Sequence, residues 1–411
     1  MKCRILLSVV LVVVAFFLTG CQRPAVGPQY DRPLLPGELA LRKITNPYEI
    51  PDFTNACYNM AGMRWAIGSS LNYLSKRSSR QYFPYGEISH RHAVESLRAF
   101  RELIDAGLRG PELNAAIRQQ FDVYVSVGCD DAGTVLFTGY YTPIFDGSSV
   151  ATEQFRYALY KQPDDLVKGP EGEILGRRGP GGQTEPYPPR AEIENSNMLT
   201  GKELYWLSDP FEVYIAHVQG SAKLRMRDGR LVTVGYAASN GHDYHSVAEE
   251  LVSDGKIPRD QMSLSAMIDY FKRNINQVAD YTHRNPRFVF FRRESGPPRG
   301  SLNEPVTRMR TIATDKSIYP RACLAFISTT LPKMVGGRVY LDPYTGFALD
   351  QDSGGAIRAP GRCDVYMGEG DTAGKLAGQT YQEGRLYYLF LKQTETPISP
   401  DLPGSPLPAS Y

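Results

Sequence analysis

The chain has 411 residues and carries 46 Lys and Arg against 44 Asp and Glu, so it is near neutral and too long for one ordinary core. This charge balance, with no basic stripe, excludes nucleic acid as a partner and a purely electrostatic hold on a membrane. The sequence has no GxSxG, HExxH, GxGxxG, P-loop or CxxC, and its 6 His are scattered, so nothing points to a metal, a cofactor or a serine nucleophile.

Residues 1–20 read as a lipoprotein signal peptide. Lys2 and Arg4 precede an apolar run from Ile5 to Leu18, which is the length of a secretory core and too short for an ordinary membrane span. The run ends in Leu18-Thr19-Gly20-Cys21, which marks Cys21 as the acylated first residue of the mature chain. Gln22 follows in place of Asp, the pattern that sends bacterial lipoproteins to the outer membrane, facing the periplasm. Cleavage removes Lys2 and Arg4 and leaves a formally neutral protein. Residues 21–45 read as a lipid-anchored tether, rich in Pro and Gly over 22–40.

Helical spacing is expected through 56–121, carried by Met60, Trp65, Ile67, Leu71 and Leu74 and then by Val94, Leu97, Phe100, Leu103 and Ile104. Phe121–Val127 and Val135–Tyr141 read as strands around an Asp130–Gly133 turn. Residues 143–200 are loop-rich and open an inserted domain spanning 143–297. In it Val213–Val218, Leu224–Arg227 and Leu231–Val234 read as strands, with Asp228-Gly229 as a hairpin turn, and Val247–Asp254 and Leu264–Asn276 as helices. Strand character returns at Phe288–Phe291, Ala322–Ser328, Arg338–Asp342 and Leu386–Lys392. The class is mainly β with helices (α+β): a barrel from residues 46–142 and 298–395, interrupted by the insert, then a disordered tail over 396–411. Of Cys57, Cys129, Cys323 and Cys363, the pair Cys323–Cys363 is the favoured disulfide, with free buried thiols as the alternative.

One constellation carries chemistry. Asp352 and Asp364 lie 12 residues apart, with Gly354 and Gly355 between them. Glycosidic cleavage needs a carboxylic acid that protonates the leaving oxygen, often beside a second carboxylate. Val365 and Tyr366 supply the apolar setting that keeps Asp364 protonated near neutral pH. Gly354 and Gly355 permit close approach of another chain. Tyr140 and Tyr141, in FTGYYTP at 137–143, offer sugar-stacking faces. Gln219 and Ser221, in VQGS at 218–221, suit polar sugar contacts. Ser239 and Asn240 shape a turn, and His242 reads as structural.

These motifs, with YAASNGH at 236–242, NPRFVFF at 285–291 and QDSGGAI…CDVYMG at 351–368, occur in the order that identifies the chain as similar to the membrane-bound lytic murein transglycosylase A family. The resemblance implies a double-psi β-barrel interrupted by a second β-domain, with the glycan in a groove between them. It implies Asp364 as the lone catalytic acid, and Asp352 and Asp315 as supporting residues. Thr138 would line the groove with Tyr141, Gln219 and Ser221. The implied partners are peptidoglycan strands, the outer membrane through lipid on Cys21, and cell-wall synthesis complexes. The implied reaction cleaves the β-1,4 bond after N-acetylmuramic acid and leaves 1,6-anhydro ends. The rival readings are a glycan hydrolase on the same barrel and a non-catalytic glycan-binding scaffold. Arg362-Cys363 stands where some relatives have His-Phe, so the packing around Asp364 is expected to differ.

Overall fold

The computed structural model describes residues 27–170 and 172–393. The signal peptide, Cys21 and the 396–411 tail lie outside the described residues.

After a short strand, β1 (Leu41–Lys43), come four helices: α1 (Thr54–Cys57), α2 (Met63–Ser75), α3 (His90–Asp105) and α4 (Gly110–Gln120). Ser89 caps α3 by accepting the amide of His92, which satisfies one of the orphan donors of the first turn. The stripe Leu97, Phe100, Leu103 and Ile104 is buried, as its spacing predicts. Strands β2 (Phe121–Ser126) and β3 (Val135–Thr142) follow.

The chain then enters β4 (Ile144–Ser148), β5 (Tyr157–Tyr160), β6 (Leu166–Lys168), β7 (Ile174–Arg178), β8 (Thr184–Glu185), α5 (Arg190–Glu194), β9 (Glu203–Leu207), α6 (Pro210–Gln219), β10 (Ser221–Arg225), β11 (Leu231–Ser239), α7 (Val247–Ser253), α8 (Leu264–Arg273), α9 (Val278–Thr282) and β12 (Val289–Glu294). It returns through β13 (Thr311–Ala313), β14 (Leu324–Val335), β15 (Arg338–Asp352), β16 (Arg362–Glu369), α10 (Gly370–Ala377) and β17 (Tyr381–Leu391).

Strands β17-β14-β15-β13-β16-β3 form a ring that closes from β3 back to β17. Closure leaves no open edge within the ring. β2 and β1 extend from β17 outside it. Two pairs, β13–β15 and β3–β16, are parallel, as crossed connections require. The N-terminal helices seal one side: Phe53 packs edge-on against Phe326 at 4.8 Å, and Phe100 meets Phe347 at 4.9 Å. The insert holds its own sheet, β12-β11-β10-β4-β9-β5, and a smaller one, β6-β7-β8. The barrel with helices and a second β-domain is therefore the architecture the sequence implied.

Three expectations are corrected. Val213–Val218 is not a strand but the body of α6, where Asp209 caps the start by accepting Phe211 N at 2.7 Å and Gly220, at φ +72°, ends it. Val213 to His217 are all buried, and a helix wrapped on every side reads like a core strand. The tether is shorter than its Pro and Gly content suggested. Tyr30 donates its hydroxyl to Glu383, Arg32 pairs with Asp131, and β1 is hydrogen-bonded to β2. Ala40 and Leu41 are buried, so apolar burial overrides the flexible composition here. The favoured disulfide is absent: Cys57, Cys129, Cys323 and Cys363 are free and buried. Cys363 lies on β16 and Cys323 just before β14, three places away in the barrel wall, whereas a disulfide holds its Cα atoms within about 7 Å.

Candidate active site

The site is assembled by strand register. Asp364 on β16 is aligned with Thr138 of β3 on one side and with Ala313 of β13 on the other. Asp352, the last residue of β15, is aligned with the same Ala313. The register of β13 and β15 shifts between Ile312 and Ala313, a bulge that brings Asp352 rather than Gln351 opposite Ala313. Aligned residues on neighbouring strands share a face, so the bulge sets both carboxylates on one side of the wall.

They face a groove of about 990 Å³ bordered by the barrel and the inserted domain. Tyr140, Gln219, Ser221, Asp315, Gly354 and Gly355 also border it. Thr138 is aligned beside Asp364, and its buried hydroxyl, which makes no hydrogen bond of full geometry, lies near enough to the Asp364 carboxyl to favour the charged form. Tyr141 turns the other way, into the barrel core against Gly374 of α10, and only its backbone serves the groove, donating to Gln219 Oε1 at 3.1 Å. Asp315 accepts Ser317 N and Oγ and the amide of Ala359, which fixes the turn after β13. His242 is structural, its Nε2 at 2.8 Å from the carbonyl of Tyr187, and Asn240 ties the same corner to Pro188 and Pro286.

The two carboxylates differ in their surroundings. Asp352 Oδ1 accepts the amides of Ser301 and Ser353, each at 2.8 Å, and Oδ2 accepts the Tyr140 hydroxyl at 2.8 Å. Burial raises its pKa, and these donors oppose the rise. Asp364 Oδ1 is buried with no hydrogen-bond partner. Burial drives its pKa up to about 7, with the Asp352 charge adding to the rise, against the pull of Arg362, Thr138 and the Val365 amide. The carboxyl that can hold a proton at neutral pH is therefore Asp364. The Tyr140 ring leans on Tyr366 at 5.1 Å, and the Tyr366 hydroxyl is bonded to Thr142 Oγ1 at 2.9 Å.

Ser301 escaped the sequence reading, although a Gly300-Ser301 pair after the insert is a weak sign of close backbone approach. Tyr366 reads in the sequence only as an apolar neighbour of Asp364, not as the ring partner of Tyr140.

The comparisons agree with this geometry. The family model described as the MltA specific insert domain matches residues 136–292, and the 3D domain model matches 310–390. The membrane-bound lytic murein transglycosylase A of Escherichia coli K12 is 27% identical over 356 residues, covering 84% of this chain and 87% of that protein. The chain belongs to the membrane-bound lytic murein transglycosylase A family. Among solved members, the Escherichia coli enzyme with bound chitohexaose superposes with a TM-score of 0.66 at 25% identity, over 87% of this chain and 98% of that one. A member from Agrobacterium tumefaciens shares the fold at a TM-score of 0.70 and 23% identity, over 86% of this chain and 98% of that one. The insert and 3D matches fall on the two halves that border the groove, so the carboxylates lie where the two family modules meet.

Proposed function

We propose that this family member is a lytic transglycosylase acting on the β-1,4 bond between N-acetylmuramic acid and N-acetylglucosamine. The observation that carries the reading is Asp364, half-buried at the groove wall and protonated up to about pH 7. It gives its proton to the glycosidic oxygen as the C1–O bond breaks. The C6 hydroxyl of the same muramic acid then attacks C1, and the ionised Asp364 takes its proton. Acid and base are one carboxyl, no water is consumed, and the product ends in 1,6-anhydromuramic acid. The attacking hydroxyl is already part of the bound sugar, which supplies the proximity a separate water would lack. Asp352 supports the site by placing negative charge beside the developing oxocarbenium ion. Its hydrogen bonds to Ser301, Ser353 and Tyr140 leave it little free capacity to activate a water, which argues against the hydrolase alternative.

Among the described residues no helix is long and apolar enough to cross a membrane. The sequence pattern at Cys21 supports outer-membrane anchoring by lipid, with the body in the periplasm.

The test is mass spectrometry of muropeptides released from purified sacculi by the full chain. Products one water lighter than reducing muropeptides are expected. Reducing products would make the protein a hydrolase.

A second outcome concerns Gly300. A Cβ there would stand 2.9 Å from both Asp352 Cγ and the Gln351 carbonyl oxygen. Gly300→Ala crowds both the Asp352 carboxyl and the Gln351 backbone, so kcat on sacculi is expected to fall by about tenfold or more, together with a modest drop in melting temperature. An unaltered kcat would show that the placement of Asp352 is immaterial.

A further inference from the structure

The groove has a second chemical character besides its acid pair. Its walls carry more cationic side chains than anionic ones. Some are already neutralised: Arg190 by Glu194, Arg292 by Glu294, and Lys316 by Asp350. Arg287, Arg321 and Arg358 also border the groove, and no ion pair among the described residues engages them.

Arg287 and Arg321 are held in place by packing and hydrogen bonding, and Arg358 is carried on the loop that joins the two carboxylates. Arg358 lies midway along the loop between Asp352 and Asp364, and it is exposed. Arg287, on the inserted domain, rests against that same loop: a Cβ at Gly355 would be 3.3 Å from its Nε. Its Nη1 donates to the carbonyl of His242 at 3.0 Å, which leaves the rest of the guanidinium free. Arg321 stacks on Tyr82 with its guanidinium carbon 3.5 Å from the ring centroid, and its Nε is buried without a partner. A guanidinium held by stacking loses less freedom on binding, and its planar fork matches a carboxylate.

A plain N-acetylglucosamine polymer has no anion to offer these groups. The muramic acid of peptidoglycan does: its lactyl arm ends in a carboxyl, either free or joined to a peptide that bears further carboxylates. We infer that Arg287, Arg321 and Arg358 form a carboxylate-recognition site, which selects glycan carrying lactyl or stem-peptide carboxylates over neutral glycan. This rests on the transglycosylase reading above and names the substrate feature that the groove selects.

The experiment measures kcat and KM of the full chain on four glycans: peptide-bearing strands, strands stripped of peptide by an amidase, and each of these after methyl esterification of its carboxyls. The wild type is expected to show a KM about tenfold lower on a free-acid glycan than on its ester, a preference that shrinks as salt is raised. In Arg321→Gln/Arg358→Gln the ratio of the two KM values is expected to approach one, while Arg358→Lys, which keeps the charge, retains part of it. A preference confined to stripped strands assigns the lactyl carboxyl, and one confined to peptide-bearing strands assigns the stem. A wild type with equal KM on acid and ester, or a double variant that keeps the full preference, overturns the inference. If the wild type releases no product from any glycan, the transglycosylase reading falls. Retention of the chain on free-acid against esterified glycan then decides the carboxylate site separately.

Discussion

Asp364→Asn is expected to lower turnover on sacculi by about 10²–10⁴-fold, because one carboxyl serves both proton transfers and no neighbour can replace it. Binding of the chain to sacculi should survive, since Asn fills the same space and the rest of the groove wall is unchanged. The wild-type rate should fall as pH rises through about 7, as the general acid ionises. The same residue costs stability. Its carboxyl titrates at about 7 in the folded protein against 3.8 in the reference state, so the folded chain binds more protons between these values. Folding stability from this group is therefore lost as pH rises from about 4 to about 7, and the loss is complete above that. Asn does not titrate, so at pH 8 the variant should be more stable than the wild type, by up to about 4 kcal/mol. Denaturant melts of both proteins at pH 5 and pH 8 measure this. An active Asn variant removes Asp364 from the chemistry. A wild type and variant equally stable at both pH values would mean that the carboxyl is not held protonated.

What could be read in the sequence was what is local. Asp352 and Asp364 were visible because the glycine-rich loop between them is unusual, and helix α3 because its apolar stripe repeats at the helical period over four turns. What could not be read depends on contacts distant in the chain. Strand β13 has three residues, too few for any alternation, yet its Ala313 is the point to which both carboxylates are registered. The orientation of Tyr141 also escaped. Tyr140 and Tyr141 look alike in sequence, and strand alternation sends one to Asp352 and the other to the core against α10. Helix α6 failed for a different reason: its burial on all faces erased the periodicity that distinguishes a helix from a strand.

Two residues before Asp352 on the same strand, Asp350 has a different task. It is fully buried, and its oxygens accept from Thr314 Oγ1 at 3.0 and 2.8 Å, from the Tyr388 hydroxyl at 2.8 Å, and from Lys316 Nζ. The Lys316 side chain is only 7% exposed, so its charge depends on this partner. Asp350→Ala is expected to destabilise the fold by about 3–5 kcal/mol, since it strands an ammonium group in the barrel wall. Adding Lys316→Met should recover much of that loss, because the uncompensated charge goes with it, though the Tyr388 hydroxyl stays unpaired and keeps the recovery incomplete. Urea denaturation of the single and double variants separates the two contributions. A single variant within 1 kcal/mol of wild type would mean that the pair contributes nothing. Activity should follow stability here, since Thr314 donates its amide to the carbonyl of Asp352 at 3.2 Å. The buried pair thus anchors the backbone of the carboxylate that supports the site. Two aspartates separated by one residue are divided by depth alone: the one inside the wall holds the strand, and the one at its end meets the glycan groove.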